Sequence, residues 1–338
     1  MIISATPLES ETQMLLEEPA DTGPDSELRP FAITQLQHGE RLDRALAQLV
    51  PEFSRSYLQQ LIESGSVQLN GRPAVKPAHK VKAGDAGVIE LRPTPQSQAF
   101  KPEEIALNVL FEDDHLLVLD KPAGLVVHPA PGNWSGTLLN GLLARDGAAR
   151  MLPRAGIVHR LDKDTSGLMV VARSRGAMDA LVRAIAAREV GRQYLALAHH
   201  AWVGPEHRQV DAPIGRDPRN RLRMAVVDLA RNAGKAAVTG FDLLQNAAAG
   251  CLVRATLQTG RTHQIRVHMA SIAHPLVADG LYGGAAAVGM QRQALHAFRL
   301  AFLHPVTHQP LEFFAPPPPD MSAAILAWGL RYNPSNGS

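Results

Sequence analysis

The chain has 338 residues, 45% of them hydrophobic, with a formal net charge of +2 and one cysteine. That length suits two or three domains with ordinary cores, and no apolar run approaches the roughly 18–20 residues of a membrane-spanning helix. The lone Cys251 excludes an intrachain disulfide, and the first residues lack the basic stretch and apolar core of a secretory leader, so the expected location is the cytoplasm. The charge is uneven. Residues 1–29 hold seven acids against one base, which leaves a formal +8 on residues 30–338. A body of that sign suits a polyanionic partner. Residues 1–35 are acidic, have no sustained period and read as a disordered tail.

Residues 38–92 form the next segment. Leu42, Ala45, Leu46 and Leu49 recur at helical spacing until Pro51. Ser54 is a good N-cap for a second helix, with Leu58, Leu61 and Ile62 as its stripe and Gly65 as its stop. Val67 and Leu69 then alternate with polar neighbours, and Asn70-Gly71 predicts a tight hairpin. Arg41, Arg44, Arg55, Arg72 and Lys76 decorate this unit, which has no pocket-forming pair of carboxylates and suits binding better than chemistry. RLDRAL (Arg41–Leu46), SRSYLQQLI (Ser54–Ile62) and GSVQLNG (Gly65–Gly71), followed by Gly84-Asp85, resemble the S4 RNA-binding domain. The resemblance implies a small α/β module that presents those five basic side chains to structured RNA.

Residues 93–101 are rich in Pro, Gln and Ser and predict a linker. The remainder, 102–332, contains more strand-like than helix-like stretches, with few strand–helix–strand repeats, and 333–338 reads as a tail. The expected class is therefore α+β, with a mixed, largely antiparallel sheet rather than a doubly wound one. NVLFEDDHLLVLD predicts a hairpin, and RQYLALA, AAVTGFDLL, CLVRATLQT, ALHAFRLAFL and LEFF predict strands. GTLLNGLLAR, a stretch capped by Ser174 and MSAAILAWGL predict helices.

Three stretches combine charge with strand context. HRLDKDTSG (His159–Gly167) lies between the apolar runs GIV and GLMVVA, both of which read as short strands. An ion-paired surface hairpin and a reactive loop explain it equally well from composition. Arg192-Gln193-Tyr194 opens a strand. TGRTHQIRVH (Thr259–His268) suits a turn into a helix start, where Arg261 and free amides favour anions, and where His263 and Arg266 share a face. No phosphate-binding loop, HExxH motif or cysteine pair is present, and without GxSxG the residue Ser166 is a poor nucleophile candidate. His159, Asp162, His263 and His268 compose a metal set on paper, but nothing in their spacing demands one. What remains is a carboxylate among arginines, with no metal and no nucleotide cofactor.

HRLDKDTSGLMVVA, TGRTHQIRVHMA, HPLVADGLYGG (His274–Gly284) and KPAGLVVHP (Lys121–Pro129) are together similar to the RluA-type pseudouridine synthases, over about residues 39–330. The resemblance implies the pseudouridine synthase fold and a cofactor-free RNA isomerase. It implies that Asp162 is the catalytic aspartate, with Arg266 paired to it. It implies that Arg160 enters the RNA stack as a uridine leaves it, that Tyr194 stacks on the uracil and that Ile265 packs against the base. Asp164 is the competing carboxylate, with a structural role in the loop favoured for it. Arg261 reads as a phosphate or loop contact, Lys121 equally as an RNA contact or a surface lysine, and His128, His274 and His304 as hydrogen-bonded structural groups. Such a domain behind an S4-like unit implies large-subunit ribosomal RNA or a pre-ribosomal particle as partner, the helix 69 stem-loop as target, and a monomer with no membrane contact. Two other classes remain open on the sequence, an RNA-binding assembly factor without catalysis and a metal-dependent nuclease.

Overall fold

The computed structural model describes residues 27–91, 99–130, 132–220 and 222–332. They fall into two units divided between Gln98 and Ala99.

The first unit contains β1 (Glu27–Ala32), α1 (Leu42–Leu49), α2 (Arg55–Glu63), β2 (Val67–Leu69), β3 (Arg72–Pro73) and β4 (Ala86–Leu91). Its antiparallel sheet runs β1-β4-β2-β3. Leu42, Ala45 and Leu46 of α1 and Leu58, Leu61 and Ile62 of α2 bury the predicted stripes against Val67 and Ile89. Ser54 caps α2 by accepting the Tyr57 amide. Asn70 and Gly71 both take positive φ, as the tight β2–β3 turn requires. One expectation fails. Residues 27–35 belong to the folded unit and not to a tail, because β1 pairs with β4 along its length and Phe31 and Ile33 enter the core. The acids hid this: Glu27 is spent on Arg29, which also reaches Glu52, and Pro30 is tolerated because β1 is an edge strand. The expectation for residues 1–26 lies outside the described residues, as do those for 333–338 and most of the linker.

The second unit holds β5 (Asn108–Glu112), β6 (Leu116–Lys121), α3 (Leu138–Arg145), β7 (Ser166–Ala172), α4 (Arg175–Ala186), β8 (Gly191–His199), β9 (His207–Asp211), β10 (Ile214–Arg216), β11 (Met224–Val226), β12 (Gly234–Lys235), β13 (Val238–Asn246), β14 (Gly250–Leu257), α5 (Gln264–Ser271), β15 (Leu295–Leu303), β16 (Pro310–Phe314) and α6 (Pro319–Ala327). The main sheet runs β5-β6-β7-β15-β8-β14-β13-β9, with β16 added to β15. Only β7–β15 is parallel, so the sheet is mixed and largely antiparallel. The small sheet β11-β10-β12 had no clear signal in the sequence.

Alternation along β8 shows why these strands are apolar throughout. Tyr194, Ala196 and Ala198 enter the core shared with α3 and α5, whereas Leu195 and Leu197 enter the core shared with α6. With both faces covered, no position is left for a solvated side chain. The expected GIV strand is reduced to a bridge between Ile157 and Val171, since Gly156 closes a tight 3-10 turn just before it. β7 itself is buried throughout. Gly167 makes its parallel approach to β15 possible: φ is +114°, and a Cβ there would lie 2.2 Å from the Ala297 carbonyl oxygen.

Candidate active site

The loop before β7 is pinned through three successive backbone carbonyls. Asp162 O accepts the Thr165 amide at 3.2 Å, and Lys163 O accepts both the Gly124 amide and Lys121 Nζ at 2.9 Å. Asp164 O accepts an Arg292 guanidinium N–H at 2.9 Å. Lys121 is not a surface lysine but is fully buried, because the chain reverses at Pro122–Gly124 and folds the Pro122 and Leu125 carbonyls over its ammonium at 2.8 and 2.9 Å. Burial pushes that ammonium down to about 8, against the opposing pull of Asp164 and Asp162. His159 accepts the Val170 amide on Nε2 at 3.1 Å, and burial, reinforced by Arg192, pushes the ring down to about 3 and keeps it neutral.

The second half of the site comes from α5. Arg266 donates to Asp162 Oδ2 at 3.0 Å and grips Asp279 with two bonds of 2.7 and 2.8 Å. Its guanidinium also lies over the Tyr282 ring, 5.0 Å from the centroid. Burial works against this charge, but Asp279 and then Asp162 outweigh it and raise the Arg266 pKa. His263, in left-handed conformation ahead of α5, places Nε2 3.8 Å from Asp162 Oδ1. Its Nδ1 lies 2.7 Å from Tyr282 Oη, which accepts the Met224 amide at 3.0 Å. Burial, with Arg266 and Arg160 adding to it, lowers the His263 pKa although Asp162 and Asp279 oppose the shift. Asp279 and Tyr282 were not singled out from the sequence. Their signal was an acid and an aromatic three apart in a glycine-rich loop, which ADGLYGG contains.

These elements enclose a cleft of about 780 Å³ lined by Arg160, Asp162, Tyr194, Arg261, Ile265 and Arg266, within the usual range for sites that enclose a small group. Arg160 is exposed at it, Tyr194 is 5% and Ile265 4% exposed. Tyr194 is thus buried in its strand and also faces the cleft. Arg261 donates Nε to the Ala236 carbonyl at 3.0 Å, so part of it holds the loop. Among the described residues that line it Asp162 is the only carboxylate; Asp164 does not line it. His274 and His304 are hydrogen-bonded as expected, but His128 lines the cleft with its Nδ1 buried and unpartnered. The paper metal set does not form. His268 spends its nitrogens on Thr239 and the Ala212 carbonyl, His159 spends Nε2 on Val170, and among the described residues no three His, Cys, Asp or Glu side chains are placed to hold a metal ion.

In the first unit Arg41 and Arg55 have a prior engagement. Both donate to the fully buried Asp43, as does Gln59. Burial alone would raise the Asp43 carboxyl, yet these donors hold it well below the usual carboxylate range. Arg44 lies 3.7 Å from Glu40, and Arg72 and Lys76 are exposed.

Comparison with known proteins matches this arrangement on several levels. Residues 115–271 match the family model described as RNA pseudouridylate synthase, and residues 40–86 match the S4 domain. The chain is 48% identical over 316 residues to a Xanthomonas campestris protein named ribosomal large subunit pseudouridine synthase D, covering 90% of this chain and 93% of that one. It is 47% identical to the protein of the same name from Neisseria meningitidis serogroup B, covering 88% and 82%. Among solved structures it resembles human RNA pseudouridylate synthase domain containing 1, with a TM-score of 0.52 and 26% identity over 66% of this chain and 89% of that one.

Proposed function

The chain belongs to the RNA pseudouridylate synthase family and is an isomerase, and from that premise we propose that it converts uridines of large-subunit ribosomal RNA to pseudouridine, with Asp162 as the catalytic residue. The observation that carries the assignment is convergence: Asp162, Tyr194 and Arg266, far apart in sequence, line one basic cleft, with the carboxylate and guanidinium 3.0 Å apart.

The chemistry suits these groups. The N1–C1′ bond breaks, the base turns and C5 joins C1′; C5 loses a proton and N1 gains one, so the reaction is redox-neutral. An ionised carboxylate held by a cation can serve as nucleophile or base in such a sequence. Arg266 holds Asp162 in position, and Asp279 holds Arg266. Extruding the uridine costs a few kcal/mol of stacking. Exposed Arg160 at the cleft fills the vacated place in the stack, Tyr194 supplies an aromatic face for the flipped base, and Ile265 packs on it. Arg72, Lys76 and Arg261 bind phosphates, with Arg44 assisting; Arg41 and Arg55 contribute while anchored on Asp43. The target is the helix 69 stem-loop, as the similarity to the synthase D proteins supports, and the protein acts as a cytoplasmic monomer. Among the described residues no helix is long and apolar enough to cross a membrane.

The test is tritium release from ribosomal RNA labelled at uridine C5. Wild type is expected to release tritium and Asp162→Asn to release none while binding RNA. Full activity in that variant would remove Asp162 from the chemistry. RNA binding without release by wild type would leave an assembly factor in place of an enzyme.

A further inference from the structure

Arg192 stands two residues before Tyr194 on β8, so both side chains project from one face of the sheet. It lines the cleft and is only 7% exposed. Among the described residues its side chain makes no hydrogen bond and no ion pair, and its Nε is a buried donor without a partner. The contrast with Arg266, equally buried but held by Asp279 and Asp162, is sharp. A buried side chain whose Nε finds no acceptor is costly, and folding alone gives no reason to keep one. Space is nevertheless kept for it. A Cβ on Gly260 would lie 2.9 Å from an Arg192 terminal nitrogen, and Gly260 is not in a conformation that itself needs glycine.

The missing partner must therefore arrive with the substrate. Asp162, the one carboxylate among the described residues that line the cleft, is already engaged by Arg266. A uracil carbonyl would occupy one donor and leave the charge unbalanced. An anion with several acceptor oxygens answers both, and the anion that an RNA strand carries at every residue is its phosphodiester. We propose that Arg192 is a phosphate-binding residue inside the cleft, which takes one of the two phosphodiesters flanking the everted uridine. The proposal rests on the reading of the cleft as the place where a uridine is converted. It separates Arg192 from the exposed arginines: these can meet phosphates of a stacked strand, whereas Arg192 is reachable only by a nucleotide drawn into the cleft. Arg192 would thus favour the flipped state over the stacked one.

The test uses the full chain and helix 69 stem-loop RNA, with a methylphosphonate in place of either phosphodiester flanking the target uridine and a 2′-O-methyl sugar beside it in every RNA, control included. Affinity is read by fluorescence titration, conversion by single-turnover assay and stability by thermal melting. Arg192→Gln is expected to weaken binding by about 10–100-fold, the usual worth of a charge-assisted bond. Gly260→Ala, which displaces the guanidinium, is expected to act in the same direction. Neither variant is expected to melt below wild type, because Arg192 holds nothing in the free protein. At one of the two linkages methylphosphonate is expected to weaken wild type by a similar factor and Arg192→Gln no further. Independent, multiplying losses at both linkages would overturn the proposal, as would a fall in melting temperature with unchanged affinity. Conversion by wild type without this coupling would remove only the role of Arg192. Coupling without conversion would remove only the assignment of the reaction.

Discussion

Asp279→Asn isolates the device that holds the candidate catalytic pair. In the native protein Arg266 and Asp279 side chains are 8% and 1% exposed and share two bonds of 2.7 and 2.8 Å. Asparagine keeps the shape, but it loses the charge and one of the two acceptor oxygens. Breaking a buried pair from one side costs about 3–5 kcal/mol. Arg266 retains Asp162 and its place over Tyr282, so a loss at or just below the bottom of that range, about 2–3 kcal/mol, is expected. For a unit of this size that is a fall in Tm of about 4–10 °C. The released guanidinium should turn toward Asp162 and move the carboxylate from its place, so kcat for tritium release should drop about 10–100-fold. Tm and kcat are measured on the same preparation. Unchanged Tm would refute Asp279 as the brace of Arg266. A lowered Tm with wild-type kcat would refute the link from brace to chemistry.

Three further outcomes follow from the same contacts. Gly167→Ala must place a methyl against the Ala297 carbonyl at a φ of +114°, so loss of soluble folded protein, or more than about 4 kcal/mol of destabilisation in urea unfolding, is expected. Lys121→Met removes the donor shared by the Pro122, Leu125 and Lys163 carbonyls, and should cost about 3–5 kcal/mol by the same assay; a wild-type midpoint would show that the ammonium is not needed there. His296, 1% exposed, is pushed by burial from 6.5 down to about 4. The unfolded chain therefore binds this proton first, so the contribution is intact above pH 6.5 and is lost as pH falls toward 4, at up to about 1.4 kcal/mol per pH unit. The gap between the urea midpoints of wild type and His296→Asn should therefore narrow steadily as pH falls from 6.5 toward 4, and parallel pH dependence in the two proteins would contradict the assignment.

The sequence alone determined which residues are inside and which loop is charged. The stripes of α1 and α2 were legible because solvent exposure on one side imposes a period of 3.6, the Asn70-Gly71 turn because of its residue types, and most strands of the main sheet because burial on both faces makes them continuous apolar runs. HRLDKDTSG stood out because its charges interrupt apolar runs. The β1 strand did not, since its one acid, Glu27, is consumed by an ion pair with Arg29 that composition reads as solvation. Lys121 was misplaced for a related reason: a lysine normally marks the surface, and its three carbonyl partners become visible only after the chain reverses. Partnership is what the tertiary structure decided. Asp162 meets Arg266 across 104 positions, and the two are brought together by packing of α5 beside a loop fixed from two other segments. Asp279 becomes the brace, His128 a cleft residue and Arg192 a buried side chain whose Nε has no partner among the described residues. No local pattern encodes those pairings, because register and chain reversal set them, and the charges acquire their meaning only where water has been excluded.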